Sequence, residues 1–119
     1  MPHLQIVIPT CQRPQFLERA LGYYRDQGVS ARLIVADSSP SPVAERNRRA
    51  VDAVRHALDI RYESYDPAIP VARKIAQALE LVDSPYAVLG ADDDFLVPGS
   101  LEQAADYLHR HPDYALAHG

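Results

Sequence analysis

Of the 119 residues one is cysteine, Cys11, and none is tryptophan. A single cysteine excludes an internal disulfide and any cysteine-based metal cluster. No apolar run approaches the ~20 residues needed to cross a bilayer, so no transmembrane helix is expected. The opening Met1-Pro2-His3-Leu4-Gln5 lacks the basic stretch and long apolar segment of a secretory signal. The expected location is cytoplasmic, with peripheral attachment at a membrane surface left open. A dense basic stripe is also missing, and the net charge is −4. That balance argues against nucleic acid as a partner. The local cluster Arg46, Arg48, Arg49 and Arg55 reads as the solvated face of a helix. His3, His56, His109, His111 and His118 show no metal-ligand spacing on one helix face and read as surface or structural residues.

What is present is an apolar fraction of 47% beside 24% charged residues, the balance of a globular protein of one domain. Leu4 to Ile8 is a β-branched run ended by Pro9, a buried strand entering a loop. Pro14 opens a helix in which Phe16, Leu17, Ala20, Leu21 and Tyr24 recur at helical spacing up to Gly28. A second strand, Arg32 to Asp37, ends in an acid and leads through Ser38-Ser39-Pro40-Ser41-Pro42 to a helix from Val43 to Leu58. Ile60 to Tyr65 alternates as a third strand, and Val71 to Val82 reads as a helix burying Ile75, Ala78, Leu79 and Val82. Tyr86 to Leu89 is a fourth strand, Leu101 to Arg110 a last helix, and Tyr114 to Gly119 reads as a fifth strand. Strands alternating with helices predict an α/β fold with a mostly parallel, Rossmann-like sheet flanked by helices.

Asp92-Asp93-Asp94 directly follows the apolar run that ends at Ala91. Three adjacent carboxylates are costly at the end of a buried strand unless a cation or many donors compensate them. Carboxylate oxygens suit Mg²⁺ or Mn²⁺, and a Mg²⁺ site completes its shell with water and substrate phosphate. The bland alternative is a solvated acidic turn that caps the next helix. In doubly wound sheets ligands bind beyond the carboxyl ends of the strands. The polar groups collect at that edge: Thr10 and Arg13 after strand one, Asp37 ending strand two, Asp66 after strand three and the acidic triplet after strand four.

Laid out this way, the chain resembles the N-terminal, nucleotide-binding half of GT-A-fold glycosyltransferases of the family 2 type. Ile6-Val7-Ile8-Pro9-Thr10-Cys11-Gln12-Arg13 is similar to the family's opening V-x-I-P-T-Y-N-R. Leu33-Ile34-Val35-Ala36-Asp37-Ser38-Ser39 resembles its second strand, and Val71-Ala72-Arg73-Lys74 its A-R-N segment. Tyr86 through Pro98 resembles the D-x-D-D strand end with its trailing proline. The resemblance implies a nucleotide diphosphate sugar as donor, with UDP preferred by analogy, and a hydroxyl of a glycan, lipid or protein as acceptor. It implies Mn²⁺ or Mg²⁺ as cofactor. Pro9, Thr10, Arg13, Asp37, Arg73 and Asp92 would contact the nucleotide sugar, and Asp93 and Asp94 would serve the metal. It also implies a single donor-binding domain over residues 1–119, truncated at its C-terminus, with the general base beyond Gly119.

Each role has a plainer competitor. Asp37 accepts the imide N–H of a uracil or else forms a turn, and Arg73 donates to base or phosphate or else sits exposed on a helix. Thr10 wraps the nucleotide or merely ends a strand, and Arg13 reaches a phosphate or pairs with Glu18. Three departures from the family pattern stand out. Cys11 replaces a stacking aromatic and reads as a small buried hydrophobe, Ala91 replaces the first acid, and Lys74 replaces an asparagine. A register shift by one would make Asp92 and Asp94 the metal pair. Two other functions compete. A sugar-phosphate nucleotidyltransferase would carry a glycine-rich loop after strand one, which Pro9 to Pro14 is not. A non-catalytic half-domain would self-associate or bind a partner through the surface its missing half would cover.

Overall fold

The computed structural model describes residues 3–118. The strands are β1 (Leu4–Thr10), β2 (Arg32–Asp37), β3 (Ile60–Ser64) and β4 (Tyr86–Leu89), and the helices are α1 (Pro14–Asp26), α2 (Val43–Val54), α3 (Val71–Leu79) and α4 (Pro98–Arg110). The four strands form one all-parallel sheet in the order β3-β2-β1-β4. This is the expected α/β, Rossmann-like architecture. No described helix is long and apolar enough to cross a membrane.

Side-chain alternation along β1 sorts the core into two layers. Leu4, Ile6 and Ile8 share one face with Leu33 and Val35 of β2, and Leu17, Ala20, Leu21 and Tyr24 of α1, Val51 and Val54 of α2 and Ala105 of α4 pack onto it. Val7, Ile34 and Ala36 point the other way, onto Ala78 of α3. Fully burying one such Leu or Ile is worth about 1.5–3 kcal/mol, so the first layer carries most of the stability.

Gly28 ends α1 at φ 64°, a left-handed conformation that favours glycine, and Gly90 lets β4 approach β1, where an added Cβ would meet Leu96 at 3.1 Å and Ile6 at 3.5 Å.

Several elements differ from expectation: β3 ends at Ser64 rather than Tyr65, α3 ends at Leu79 rather than Val82, and α4 starts at Pro98 rather than Leu101. Pro9 does not end β1, which continues to Thr10. The carbonyl of Val7 accepts from Gly90 on the β4 side, so the backbone nitrogen of Pro9, two residues on, faces that side after β4 has ended. Its missing N–H therefore costs no ladder bond. The second helix stops at Val54 and gives way to turns before β3. The buried stripe of α3 is Lys74 and Ala78, while Leu79 is 42% exposed. The fifth strand is absent: residues 114–118 form none, and Gly119 lies outside the described residues. Tyr114 packs instead against Tyr107 of α4 and His111 just after it.

Candidate functional site

Strand order runs outward from β1 to β2 to β3, and the crossover through α3 then returns to the far side of β1. The switch in direction falls between β1 and β4, where such sheets open a crevice at their carboxyl ends. The loops after β1 and β4 meet there. Asp92 is buried, and its two oxygens are held separately: the Thr10 hydroxyl donates to Oδ2 at 2.8 Å, and Arg13 Nη1 lies 3.1 Å from Oδ1. Arg13 Nη2 donates to Asp93 Oδ2 at 3.2 Å, so one guanidinium bridges both acids. Its back rests on the Phe16 ring, 4.3 Å from the centroid. The expected alternative partner, Glu18, is taken by a two-pronged bond from Arg46.

Asp94 is exposed and its backbone N–H closes a turn onto Ala91. The segment after it is pinned by α1, because the Tyr23 hydroxyl donates to the Leu96 carbonyl at 3.0 Å and the Leu96 N–H donates to the Tyr24 hydroxyl at 3.3 Å. Burial pushes the Tyr24 hydroxyl above its ordinary pKa.

Beneath the edge lies a second cluster. Asp37 is fully buried at the end of β2, where Oδ1 accepts the Ser39 N–H at 2.8 Å and Oδ2 accepts from Asn47 at 3.0 Å and from the Tyr62 hydroxyl at 2.6 Å. The Ser39 hydroxyl in turn receives the Gln12 N–H at 2.8 Å and the Asn47 amide at 3.3 Å. Gln12 is held at φ 54°, a strained value for a residue with a side chain, so the loop after β1 is fixed rather than free. Lys74, also buried, donates to the Thr10 carbonyl at 2.9 Å and the Ser38 hydroxyl at 2.8 Å. Burial lowers the Lys74 pKa, opposed by Cys11, Asp37 and Asp92 nearby.

Thus Thr10, Arg13, Asp92 and Asp93 come together, and Pro9 and Asp94 flank them. Asp37 lies below the edge with its carboxylate engaged by its own chain, and Arg73 is exposed at the start of α3. Asp66 forms a turn by accepting the Ala68 N–H. Cys11 is half-buried rather than enclosed, and its thiol donates to the Ser38 carbonyl at 3.5 Å. Asn47, Tyr62 and Lys74 were not foreseen as parts of the network. Asn47 was nonetheless visible as a polar residue on the apolar 47-51-54 stripe of α2, and Tyr62 as the residue of β3 that shares a face with Ile60.

The network makes alkaline stability a test. Burial and the bond to Asp37 hold the Tyr62 hydroxyl well above its ordinary pKa, and burial does the same for Tyr24 and Tyr65. A raised folded-state pKa stabilises fully below the unfolded value of about 10 and is lost as pH rises beyond it. Urea midpoints are therefore expected to fall above about pH 10, and to fall less steeply in Tyr62→Phe.

Among the described residues no group of three or more acidic, His or Cys side chains converges as a preformed metal cage. The donor set still fits a hard divalent cation. Mg²⁺ is commonly held by one or two carboxylates with the rest of its shell from water and phosphate, and here Asp92 and Asp93 already turn one oxygen each toward a shared positive charge.

No protein-family model matches the sequence, and no curated protein is similar to it in sequence. The fold is a parallel, Rossmann-like α/β domain, and its likeness to solved structures supports a GT-A-like fold. Among solved structures the chain is similar to TarS of S. aureus: with residues 1–349 of that protein it gives a TM-score of 0.77 at 15% identity, covering 93% of this chain and 33% of that one. The same TarS fragment in complex with UDP-GlcNAc gives 0.75 at 16% identity, covering 32% of that chain. Its complex with UDP gives 0.74 at 14% identity, covering 33% of that chain. The chain spans about a third of the length of these fragments.

Proposed function

We propose that this chain is the donor-binding part of a family 2-like glycosyltransferase that binds a nucleotide diphosphate sugar, with UDP as the nucleotide, and passes the sugar to an acceptor hydroxyl on a glycan, lipid or protein. The observation that carries the reading is the meeting of Thr10, Arg13, Asp92 and Asp93 at the switch point between β1 and β4. The likeness in fold to TarS, which was crystallised with UDP-GlcNAc and with UDP, supports it. In this reading Asp93, with Asp94 beside it, holds Mn²⁺ or Mg²⁺, and Asp92 orients the ribose side. The bound cation supplies neutralisation of the diphosphate that departs from the sugar. Arg13 and Arg73 donate to phosphate or base, and the Pro9–Arg13 loop lines the nucleotide with backbone groups. Asp37 acts beneath the base by fixing Ser39 and through it the Gln12 N–H. The site of action is assigned to the cytoplasmic side of a membrane or the cytosol.

Calorimetric titration with UDP, with and without Mn²⁺, tests this. Asp93 is 46% exposed, so Asp93→Ala is expected to leave the fold intact, and metal-dependent UDP binding should weaken at least about tenfold. Undiminished binding in Asp93→Ala would reject the metal assignment, and no binding of UDP, GDP or dTDP by the folded chain would reject the donor site.

A second reading, self-association, is favoured by one observation: Leu89 on β4 is 52% exposed, Val97 59% and Leu116 78%. Sedimentation at several concentrations distinguishes it, because a monomer throughout the range removes it.

A further inference from the structure

We propose that Arg13 is the resident counter-cation of the Asp92–Asp93 pair and that a divalent metal ion competes with it for the Asp93 carboxylate. The inference deepens the donor-site reading and rests on it only for the identity of the anionic ligand.

Asp92 is 4% exposed and lies beside another carboxylate, so its charge needs a fixed positive partner. The Thr10 hydroxyl supplies one hydrogen bond but no charge. Arg13 supplies the charge, with one nitrogen on each acid at 3.1 and 3.2 Å. Its planar fork spans two carboxylates in a way an ammonium would not. The placement is built in, because Phe16 backs the guanidinium and the strained Gln12 directly before it is tied to Ser39. Lys74 lies near Asp92, whose charge only partly offsets the lowering of the Lys74 pKa by burial, and its ammonium donates to Thr10 and Ser38, leaving Arg13 as the cation that touches the acids among the described residues.

A divalent ion approaching Asp93 Oδ2 therefore meets a guanidinium already on that oxygen. Two cations cannot share it without mutual repulsion unless an anion arrives as well. Metal binding by the chain alone is thereby held weak. A diphosphate relieves the conflict from both sides, since its oxygens complete the metal shell and also accept from the displaced fork. Arg13 thus makes metal affinity depend on the phosphate ligand and discourages occupation by metal alone.

The test is Mn²⁺ binding to the full chain without nucleotide, followed by electron paramagnetic resonance of the free ion, in wild type, Arg13→Gln and Arg13→Lys. Circular dichroism establishes that each is folded. Removing the competing charge is expected to tighten Mn²⁺ about three- to tenfold in Arg13→Gln, a range set by one exposed and one half-buried ion pair. Arg13→Lys, which keeps the charge and loses the fork, should fall between. UDP binding in the presence of Mn²⁺ should weaken in Arg13→Gln. Unchanged or weaker Mn²⁺ binding in Arg13→Gln overturns the proposal, as does no Mn²⁺ binding by any of the three proteins. Tighter Mn²⁺ in Arg13→Gln with no UDP binding by any variant upholds the competition and removes the donor-site reading instead.

Discussion

Asp37→Ala is expected to lower the unfolding free energy by about 3–5 kcal/mol, read from urea unfolding with an unchanged slope. The carboxylate is fully buried and is the acceptor for three donors: the Ser39 N–H, the Asn47 amide and the Tyr62 hydroxyl. Tyr62 is half-buried and has the Ala44 carbonyl 3.4 Å away, so it finds a substitute acceptor. Ser39 and Asn47 are buried, and each orphaned donor there costs about 1–3 kcal/mol. Asp37→Asn keeps the volume and one acceptor oxygen, and should cost about half as much. A loss below about 1 kcal/mol in Asp37→Ala would mean that the loop after β2 is held by packing and that the carboxylate is free for another purpose.

Lys74→Ala is the second large effect, expected at about 2–3 kcal/mol of destabilisation. Truncation removes three buried methylenes at about 0.8 kcal/mol each. The lost bonds add little, because the Thr10 carbonyl keeps the Ser38 N–H at 3.1 Å. Lys74→Met retains the stem and removes the charge, and should change stability by less than about 1 kcal/mol near neutral pH. The pH dependence separates stem from charge. Burial lowers the folded-state pKa of Lys74, so below that value both states are protonated and the full cost of the buried ammonium is present. As pH rises through it toward the unfolded value of about 10.4, the unfolded state binds more protons and the wild type gains stability relative to Lys74→Met. A stability difference that stays flat over that range would mean that Lys74 keeps its proton as easily when folded as when unfolded. This window lies below the one in which Tyr62 acts.

Much of the carboxyl edge of the sheet was legible because the chain writes its layers in short, well-punctuated runs. Leu4–Ile8 and Leu33–Ala36 are β-branched strands buried on both faces, and an apolar run ending in acids places those acids at a strand's carboxyl end. Thr10, Arg13, Asp92 and Asp93 could be assigned to one edge from strand polarity alone. Their pairing could not. Arg13 had Glu18 five residues away on the helix that follows it, and the choice of Asp92 and Asp93 required β4 to lie directly beside β1. The stripe of α3 was misjudged for a similar reason: Lys74 turns inward because two loop oxygens from β1 and β2 await it, at a position where sequence alone favours an apolar side chain.

The sequence by itself determined the alternation of elements, the parallel class of the sheet and the edge at which acids and hydroxyls gather, since periodicity and polarity are local properties. Tertiary structure decided the strand order, the burial of Asp37 and Lys74, the loss of the fifth strand and the bridge from Arg13 to two acids about 80 residues away. Those depend on contacts between distant segments. Because a buried charge settles on whichever partner the fold brings within hydrogen-bonding distance, the same side chains in another strand order would have paired differently.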